Sequence, residues 1–452
     1  MTIKKHFAHQ KESLAFMKDK GIVFDMSDPG TAKTRVEIDD FDRNREKGKA
    51  MLVIAPKSIL QNAWGDDIQE FAPHLKYSIA QAENREEAFD VKADIYITNT
   101  DAVKWLATNK AKDKAFWKRF ERIAVDESSS YKHHTSARSR ALNTIKHHFE
   151  IRRAMTGTPN SNTITDIWNQ VYYLDDGKRL GSSFYAFRSA TCVPEQVGHK
   201  TEMLKWHDKP GAEEAVSSML ADITIRHKFE DCVDIPKTFN RVIKFYQAKK
   251  QMKAYESMER DAIADMNKGM VSAINAAAVR TKMLQIASGA VYENQNKYHL
   301  VDSSRYELVL DLVEERRHSI VFYLWKHQRD EIKRMADVRG ISYCVFDGEA
   351  SDKQRIQMKQ QFQAGFFQMI LAHPKSAAHG QTWTKATATI WPSPPDDLEW
   401  WVQGNRRHAR IGQKLKTEII AILAQNTIEP GIYKKLKLKQ ARMDNLLELM
   451  EG

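Results

Sequence analysis

Short, nearly unbroken apolar runs punctuate the first third of the chain. They are Gly21-Ile22-Val23-Phe24, Ala50-Met51-Leu52-Val53-Ile54-Ala55-Pro56, Asp94-Ile95-Tyr96-Ile97-Thr98 and Arg122-Ile123-Ala124-Val125-Asp126, with Arg153 to Pro159 as a further candidate. Longer helical or polar stretches separate them, among them a short amphipathic segment from His6 to Lys18 and a helix-like one from Arg35 to Asn44. Strands without polar alternation are buried on both faces, and strands that alternate with helices build a parallel sheet. A second series follows: Ser319 to Tyr323, a helix Lys326 to Val338, a strand Ile341 to Phe346, a turn at Asp347-Gly348 and a helix Asp352 to Ala364. Strands Phe367 to Ala372, Ala386 to Trp391 and Thr417 to Leu423 complete it. A last helix, Glu429 to Met450, carries Ile432, Leu436, Leu446 and Met450 at helical spacing. Between the two series, Asp166 to Pro236 reads as mixed and mostly helical, and Gln247 to Ile286 as strongly helical and charged. The expectation is an α/β protein with two parallel-sheet lobes and helical insertions. A first lobe spans 1–235 (insertion from about 166), a linking region 236–304, and a second lobe with the C-terminal helix 305–452.

Composition narrows this picture. The 452 residues are 42% hydrophobic and 29% charged, which suits a folded chain of two large or three average domains. Lys+Arg of 70 against Asp+Glu of 59 gives a formal charge of +11, a balance that favours a polyanionic partner. Cys192, Cys232 and Cys344 lie far apart without a CxxC pair, which argues against a zinc module or disulfide framework and fits a reducing compartment. The N-terminal Met-Thr-Ile-Lys-Lys-His lacks the apolar core of a signal peptide. No apolar run reaches the ~18 residues of a membrane span.

Candidate chemistry falls at strand ends, where ligands of parallel sheets bind. Asp28-Pro29-Gly30-Thr31-Ala32-Lys33-Thr34 follows the first strand and opens a helix, the layout of a phosphate-binding loop. The strict pattern puts glycine where Ser27 and Ala32 stand. Asp126-Glu127, at the end of a later strand, suits a nucleotide–Mg²⁺ site, with Asp126 on the metal and Glu127 activating water. Lys57-Ser58, Thr98-Asn99 and Thr156-Gly157-Thr158 occupy other strand ends. Gln10 offers a donor and an acceptor to an adenine edge, with a plain surface glutamine as the alternative. Trp168, Tyr172, Tyr173, Phe184, Tyr185 and Phe187 alternate with Lys178, Arg179 and Arg188, which suits either nucleic-acid stacking or a packed helical insertion. Arg407 and Arg410, three apart in Gln403 to Gln413, share one face if that segment is helical, the arrangement of an arginine finger.

Taken in order, these motifs resemble the Swi/Snf-type branch of the superfamily 2 helicases and translocases, especially minimal phage members. Gln10 falls at the family's adenine-contacting glutamine, and Gly30 to Thr34 at its Walker A loop. Ala55-Pro56-Lys57-Ser58-Ile59-Leu60, with Trp64 beyond, resembles its strand-gripping motif. Asp126-Glu127-Ser128-Ser129 with Lys132 resembles its DEAH-type box, and Thr156-Gly157-Thr158-Pro159 the motif that couples ATP to DNA. Ile225 to Lys228 with Asp234-Ile235-Pro236 resembles the segment leaving the first lobe. Ser376 to Trp383 is similar to a degraded motif V, and Gln403 to Gln413 to motif VI.

The resemblance implies two RecA-like lobes, ATP and Mg²⁺ between them, and duplex or branched DNA gripped through its phosphates without regard to sequence. It implies an ATP-binding hydrolase: a DNA-dependent ATPase and translocase or helicase of replication, recombination or repair. That enzyme is expected to be a monomer in bacterial or phage-infected cytoplasm. The implied catalytic set is Lys33, Asp126, Glu127, Arg407 and Arg410. Gln10, Pro29, Gly30, Thr31, Ala32, Lys33, Thr34, Gly380 and Gln403 are the implied nucleotide contacts, and Thr34 and Asp126 the metal contacts. Lys57, Ser58, Thr98, Asn99, Lys132, Thr156 and Thr158 are the implied nucleic-acid contacts. A methyl at Ala32 is expected to crowd the phosphates or to force a left-handed backbone at about 1–2 kcal/mol. A nucleic-acid-binding protein with a decayed ATPase, or an RNA helicase, are the alternatives.

Overall fold

The computed structural model describes residues 5–197, 203–232, 234–267, 273–294, 297–377, 382–410 and 412–451. The chain divides into two compact units, Met1–Asp234 with Lys439–Gly452, and Ile235–Leu438. In the first unit the strands are β1 (Ile22–Asp25), β2 (Ala50–Ala55), β3 (Tyr77–Ala80), β4 (Ile95–Asn99), β5 (Phe120–Asp126), β6 (Ile151–Met155) and β9 (Thr224–Ile225). They form one parallel sheet in the order β3-β4-β2-β5-β6-β1-β9. Strands β2 and β5 are buried at every position, as their unbroken apolar runs require. Helix Lys33–Asn44 lays Ile38 and Phe41 on Met51, Val53, Ala124 and Met155 of the sheet.

The region expected to be mostly helical also holds an antiparallel hairpin, β7 (Cys192–Gln196) with β8 (Leu204–Asp208), and the edge strand β9. Neither carries a buried apolar run: four of the five β7 positions are exposed, and β9 is two residues long.

The second unit holds β10 (Thr238–Phe245), the hairpin β11 (Ala290–Tyr292) with β12 (Tyr298–Leu300), and β13 (Ser319–Phe322), β14 (Tyr343–Phe346), β15 (Met369–Ala372), β16 (Ala388–Trp391) and β17 (Thr417–Ala424). Its sheet is parallel in the order β10-β17-β16-β13-β15-β14. The charged stretch before it forms two helices, Lys249–Asn267 and Ala273–Ala287. Strand β10 was not legible because, at the sheet edge, five of its eight positions are exposed.

The C-terminal helix, Glu429–Leu449, was expected to belong wholly to the second lobe, but residues 439–452 group with the first unit. There Met443, Leu446 and Leu447 are buried, Ser217 donates to the Leu449 carbonyl at 2.7 Å, and Lys228 pairs with Glu451 at 2.8 Å.

Candidate functional site

The phosphate loop is built by backbone strain. Gly30 (φ 95°) and Ala32 (φ 60°, ψ 44°) are both left-handed, so the chain leaving β1 reverses and enters a helix at Lys33. The left-handed cost expected at Ala32 is therefore present in the structure, about 1–2 kcal/mol for a residue with a Cβ. Lys33 Nζ donates to the carbonyls of Ser27 (2.7 Å) and Asp28 (3.1 Å), and Thr31 Oγ1 donates to Asp28 O. The Asp28 carboxylate is anchored by the Phe229 N–H (3.0 Å) and by Arg226 Nη1 (3.0 Å). Gly157 lies against the loop: a Cβ there stands 2.6 Å from Pro29 Cδ and 3.3 Å from Pro29 N. Thr34 is half-buried in the first helical turn.

Strand β5 delivers the carboxylates. Asp126 is buried, accepting from the Glu127 N–H at 2.9 Å and from Trp64 Nε1 at 3.0 Å. Burial, then the charge of Glu127, pushes its carboxyl up to about 6 against the opposing charge of Lys33. The Asp67 carboxyl is raised to about 7, chiefly by burial, with the charge of Asp126 as a smaller contribution. Glu127 is left-handed as well (φ 52°, ψ 55°), so two of the positions expected to handle phosphate and water hold strained backbone. Trp64 was grouped with a strand-gripping motif. In the structure it is wholly buried and its indole orients Asp126, a role that chain distance hides.

Gln10 is wholly buried near the start of the first helix, Ala8–Met17. Its Oε1 accepts from the Phe7 N–H at 3.0 Å, while its Nε2 is buried with no hydrogen-bond partner. An orphaned buried amide costs free energy unless a ligand acceptor meets it, so the position fits a purine edge and not a solvated surface glutamine. For a divalent cation the chain offers the Thr34 hydroxyl and Asp126. Among the described residues no group of three or more His, Cys, Asp or Glu gathers.

The expected nucleic-acid set divides by exposure. Lys57 is exposed on a short turn after β2, 3.8 Å from Glu83, and Ser58 is half-buried beside it. Asn99 is half-buried, its Oδ1 accepting from Arg85 at 3.1 Å. Lys132 donates to Ser161 Oγ at 2.6 Å. Thr98, Thr156 and Thr158 are buried. The Thr98 hydroxyl donates to Ala80 O, and Thr156 Oγ1 accepts from the Thr158 N–H. These threonines shape the strand ends and present no hydroxyl at the surface.

In the second unit, helix Leu398–Asn405 stops before the arginines. Asn405 accepts from Trp391 Nε1 at 2.9 Å, and residues 406–410 are turn and bend. Arg407 and Arg410 are therefore not on one helical face. Arg407 is wholly buried with Nη2 on Gln403 Oε1 (2.9 Å), whereas Arg410 reaches Arg406 O and Thr382 Oγ1. Gly380 lies outside the described residues.

A loop of phosphate-binding layout after β1, a carboxylate pair at the end of β5, separated from β1 by β6 in the same sheet, and a second parallel sheet without such a loop define a two-lobed, helicase-type ATPase core. Residues 9–290 match the SNF2-related domain and residues 304–412 the helicase conserved C-terminal domain. The chain belongs to the SNF2-related family and is an ATP hydrolase of that type. It is 27% identical over 445 residues to protein p41 of Acyrthosiphon pisum secondary endosymbiont phage 1, covering 93% of this chain and 92% of the relative. It is 22% identical over 470 residues to a protein of Bacillus subtilis (strain 168) named as an ATP-dependent helicase/translocase. That match covers 99% of this chain and 49% of the relative, so the chain spans about half of that bacterial protein. The Sulfolobus solfataricus SWI2/SNF2 ATPase core in complex with dsDNA aligns with a TM-score of 0.45 at 20% identity, covering 99% and 94% of the two chains.

Proposed function

We propose that this chain couples ATP hydrolysis to movement along, or remodelling of, duplex or branched DNA in replication, recombination or repair, in bacterial or phage-infected cytoplasm. The observation that carries the proposal is the convergence of Lys33, Asp126 and Glu127 at the carboxyl ends of β1 and β5, with an unsatisfied buried amide at Gln10. Bound ATP with Mg²⁺ supplies the phosphoryl group and the charge that polarises it. Lys33 leaves the Ser27 and Asp28 carbonyls to neutralise phosphate oxygens, while the loop N–H groups and Thr31 hold the rest. Thr34 and Asp126 hold the cation, and Glu127 takes the proton from the attacking water. From the second lobe, Gln403, Arg407 and Arg410 are the proposed partners of the phosphates. Lys57, Ser58, Asn99 and Lys132 are the proposed contacts to DNA phosphates, in keeping with the net charge of +11.

The test is ATP turnover with duplex DNA, single-stranded DNA or RNA, in wild type and in Glu127→Gln. Stimulation by duplex DNA and a loss of ~10² or more in kcat for Glu127→Gln are expected. Normal turnover in Glu127→Gln removes it as the base, and stimulation by RNA alone moves the substrate class to RNA.

A further inference from the structure

Four charges meet inside the first lobe, away from water. Glu37 and Asp40 stand on the phosphate-loop helix, Arg122 on β5 and Arg153 on β6, each no more than 2% exposed. Arg122 Nη1 lies 2.6 Å from Asp40 Oδ2 and 3.3 Å from Glu37 Oε1. Arg153 Nη2 lies 3.4 Å from Asp40 Oδ2, and its Nε 3.7 Å from Glu37 Oε2. Arg153 also donates to the Lys20 and Gly21 carbonyls just before β1. Strand register explains the convergence. Arg153 is paired with Ala124, so Arg122, Ala124, Asp126 and Arg153 share the sheet face on which the helix packs. The Arg122 guanidinium also lies 5.5 Å from the centre of the Phe41 ring.

The position of this cluster matters more than its strength. One helix carries Lys33 at its first turn and Glu37 and Asp40 one and two turns later. One strand carries Arg122 and, two same-face positions on, Asp126. We propose that Glu37, Asp40, Arg122 and Arg153 are positioning residues that fix the register of the phosphate-loop helix against β5 and β6, and with it the placement of Lys33 relative to Asp126. The proposal rests on the nucleotide-site reading of Lys33 and Asp126. Hydrophobic contacts alone tolerate a helix sliding by a fraction of a turn, whereas two guanidiniums held by two carboxylates fix one register.

The groups facing Glu37 are Arg122, Arg153 and Asp40, with Glu121 3.7 Å from Arg122 Nε and the Tyr173 hydroxyl against the Ile123 and Arg153 carbonyls. Burial, outweighing Arg122 and Arg153, pushes the Glu37 carboxyl from 4.5 up to about 7. Below that pH protonation of Glu37 removes the charge it presents to the two arginines, and the lock loosens. The fold responds the other way. A carboxyl raised on folding adds stability that is fully present below 4.5 and is lost as pH rises through about 7. Acidification from neutrality therefore weakens the nucleotide site while the Glu37 contribution to stability grows.

The experiment uses the full 452-residue chain. Mg²⁺–ADP affinity by calorimetry, ATP turnover and melting temperature are recorded from about pH 5 to about pH 8, for wild type and Glu37→Gln. In wild type, ADP affinity and kcat/KM are expected to step down as pH falls through about 7. Glu37→Gln is expected to lose that step and to lower kcat/KM between about 10- and 100-fold at pH 8. The double variant Glu37→Gln with Arg153→Gln keeps the charge of the buried cluster and reports the same two changes should the single variant fail to fold. Wild-type profiles in the variants, with only the melting temperature altered, overturn the proposal. A Glu37-dependent step in ADP affinity without ATP turnover leaves the positioning role standing and sinks the proposed function instead.

Discussion

The two lobes share a plan and differ in what they bury. Both are parallel sheets whose central strands are buried, and both keep charged or titratable groups in their interiors. In the first lobe these are carboxyls pushed toward neutrality: Glu37 to about 7, Asp67 to about 7 and Asp126 to about 6, each chiefly by burial. In the second they are histidines pushed away from it. Burial lowers His327 to about 4 and His408 to about 3, and both stay neutral at any working pH. The second lobe's buried Arg305 pairs through its terminal nitrogens with Glu429 (2.9 Å), Ser393 and the Pro392 and Ala287 carbonyls. Ala32 and Glu127 are left-handed at the proposed nucleotide site, whereas the other left-handed residues besides glycine, Asp19 and Asp176 of the first lobe and Arg317 and Asn426 of the second, are not among its residues, and Asp176 and Arg317 end helices. The carboxyls named in the first lobe titrate near neutrality beside the proposed nucleotide site, whereas His327 and His408 of the second carry no charge there and Arg305 is paired.

The largest test of this contrast is Lys33→Ala. The ammonium bridges only loop carbonyls, which water can satisfy, so the fold is expected to survive within ~1 kcal/mol. Turnover is expected to fall by ~10² or more, because no other cation is placed in the loop to meet phosphate. Near-normal ATPase activity in this variant breaks the contrast at its root.

Next in size is Gly157→Ala. The new methyl meets the Pro29 ring at 2.6 Å, and a proline ring has no rotamer to escape into. A stability loss of ~1–3 kcal/mol is expected, with weaker ADP binding because the displaced residue belongs to the phosphate loop. Unchanged ADP affinity with full loss of stability shows that Gly157 serves packing alone.

A smaller effect compares one residue from each lobe. Trp64→Phe removes the indole N–H that favours ionised Asp126, so the acid limb of turnover set by Asp126, which lies below the Glu37 step and persists in Glu37→Gln, is expected to move up by as much as ~1 pH unit. His327→Gln costs ~1–2 kcal/mol by disturbing Ser288 and Tyr292, and leaves that limb in place, because His327 carries no proton to lose there. Equal shifts from both variants erase the distinction between the lobes.

How much of this was legible follows from chain distance. Lys33, Asp126-Glu127 and Thr156 to Thr158 announce themselves because each sits where an apolar run stops, and that is where parallel sheets bind ligands. Helix Asp352–Ala364 was read residue for residue, since Ser351 and Gln354 form its capping box and Gly365 ends it. What stayed hidden depends on partners far along the chain. Arg122 and Arg153 read as polar ends of apolar runs, and only strand register brings them to Glu37, 85 residues away in the case of Arg122. Trp64 lies beyond a stretch that resembles a strand-gripping motif, and only the fold brings its indole to Asp126, 62 residues on. The arginines of the second lobe were read as a helical pair, but the bond from Trp391 to Asn405, and Gly404 packed against Phe322 and Trp391, end that helix first.

The smallest expected effect belongs to Ala32→Gly. Glycine removes the left-handed penalty of about 1–2 kcal/mol but adds backbone freedom to the unfolded chain, so a net change within ~1 kcal/mol is expected. Rate and affinity separate the two consequences expected of the methyl. If the methyl crowds the phosphates, Ala32→Gly raises ADP affinity. If it acts only through strain, the backbone is already in the required conformation and affinity stays put while the melting temperature shifts slightly. The structure favours the second outcome, because Ala32 adopts a helix-entering left-handed geometry with Lys33 and Thr34 following in regular helix. A rise in turnover of ten-fold or more, the equivalent of ~1.4 kcal/mol, overturns that reading and places a cost of the first lobe's strain in the chemical step itself.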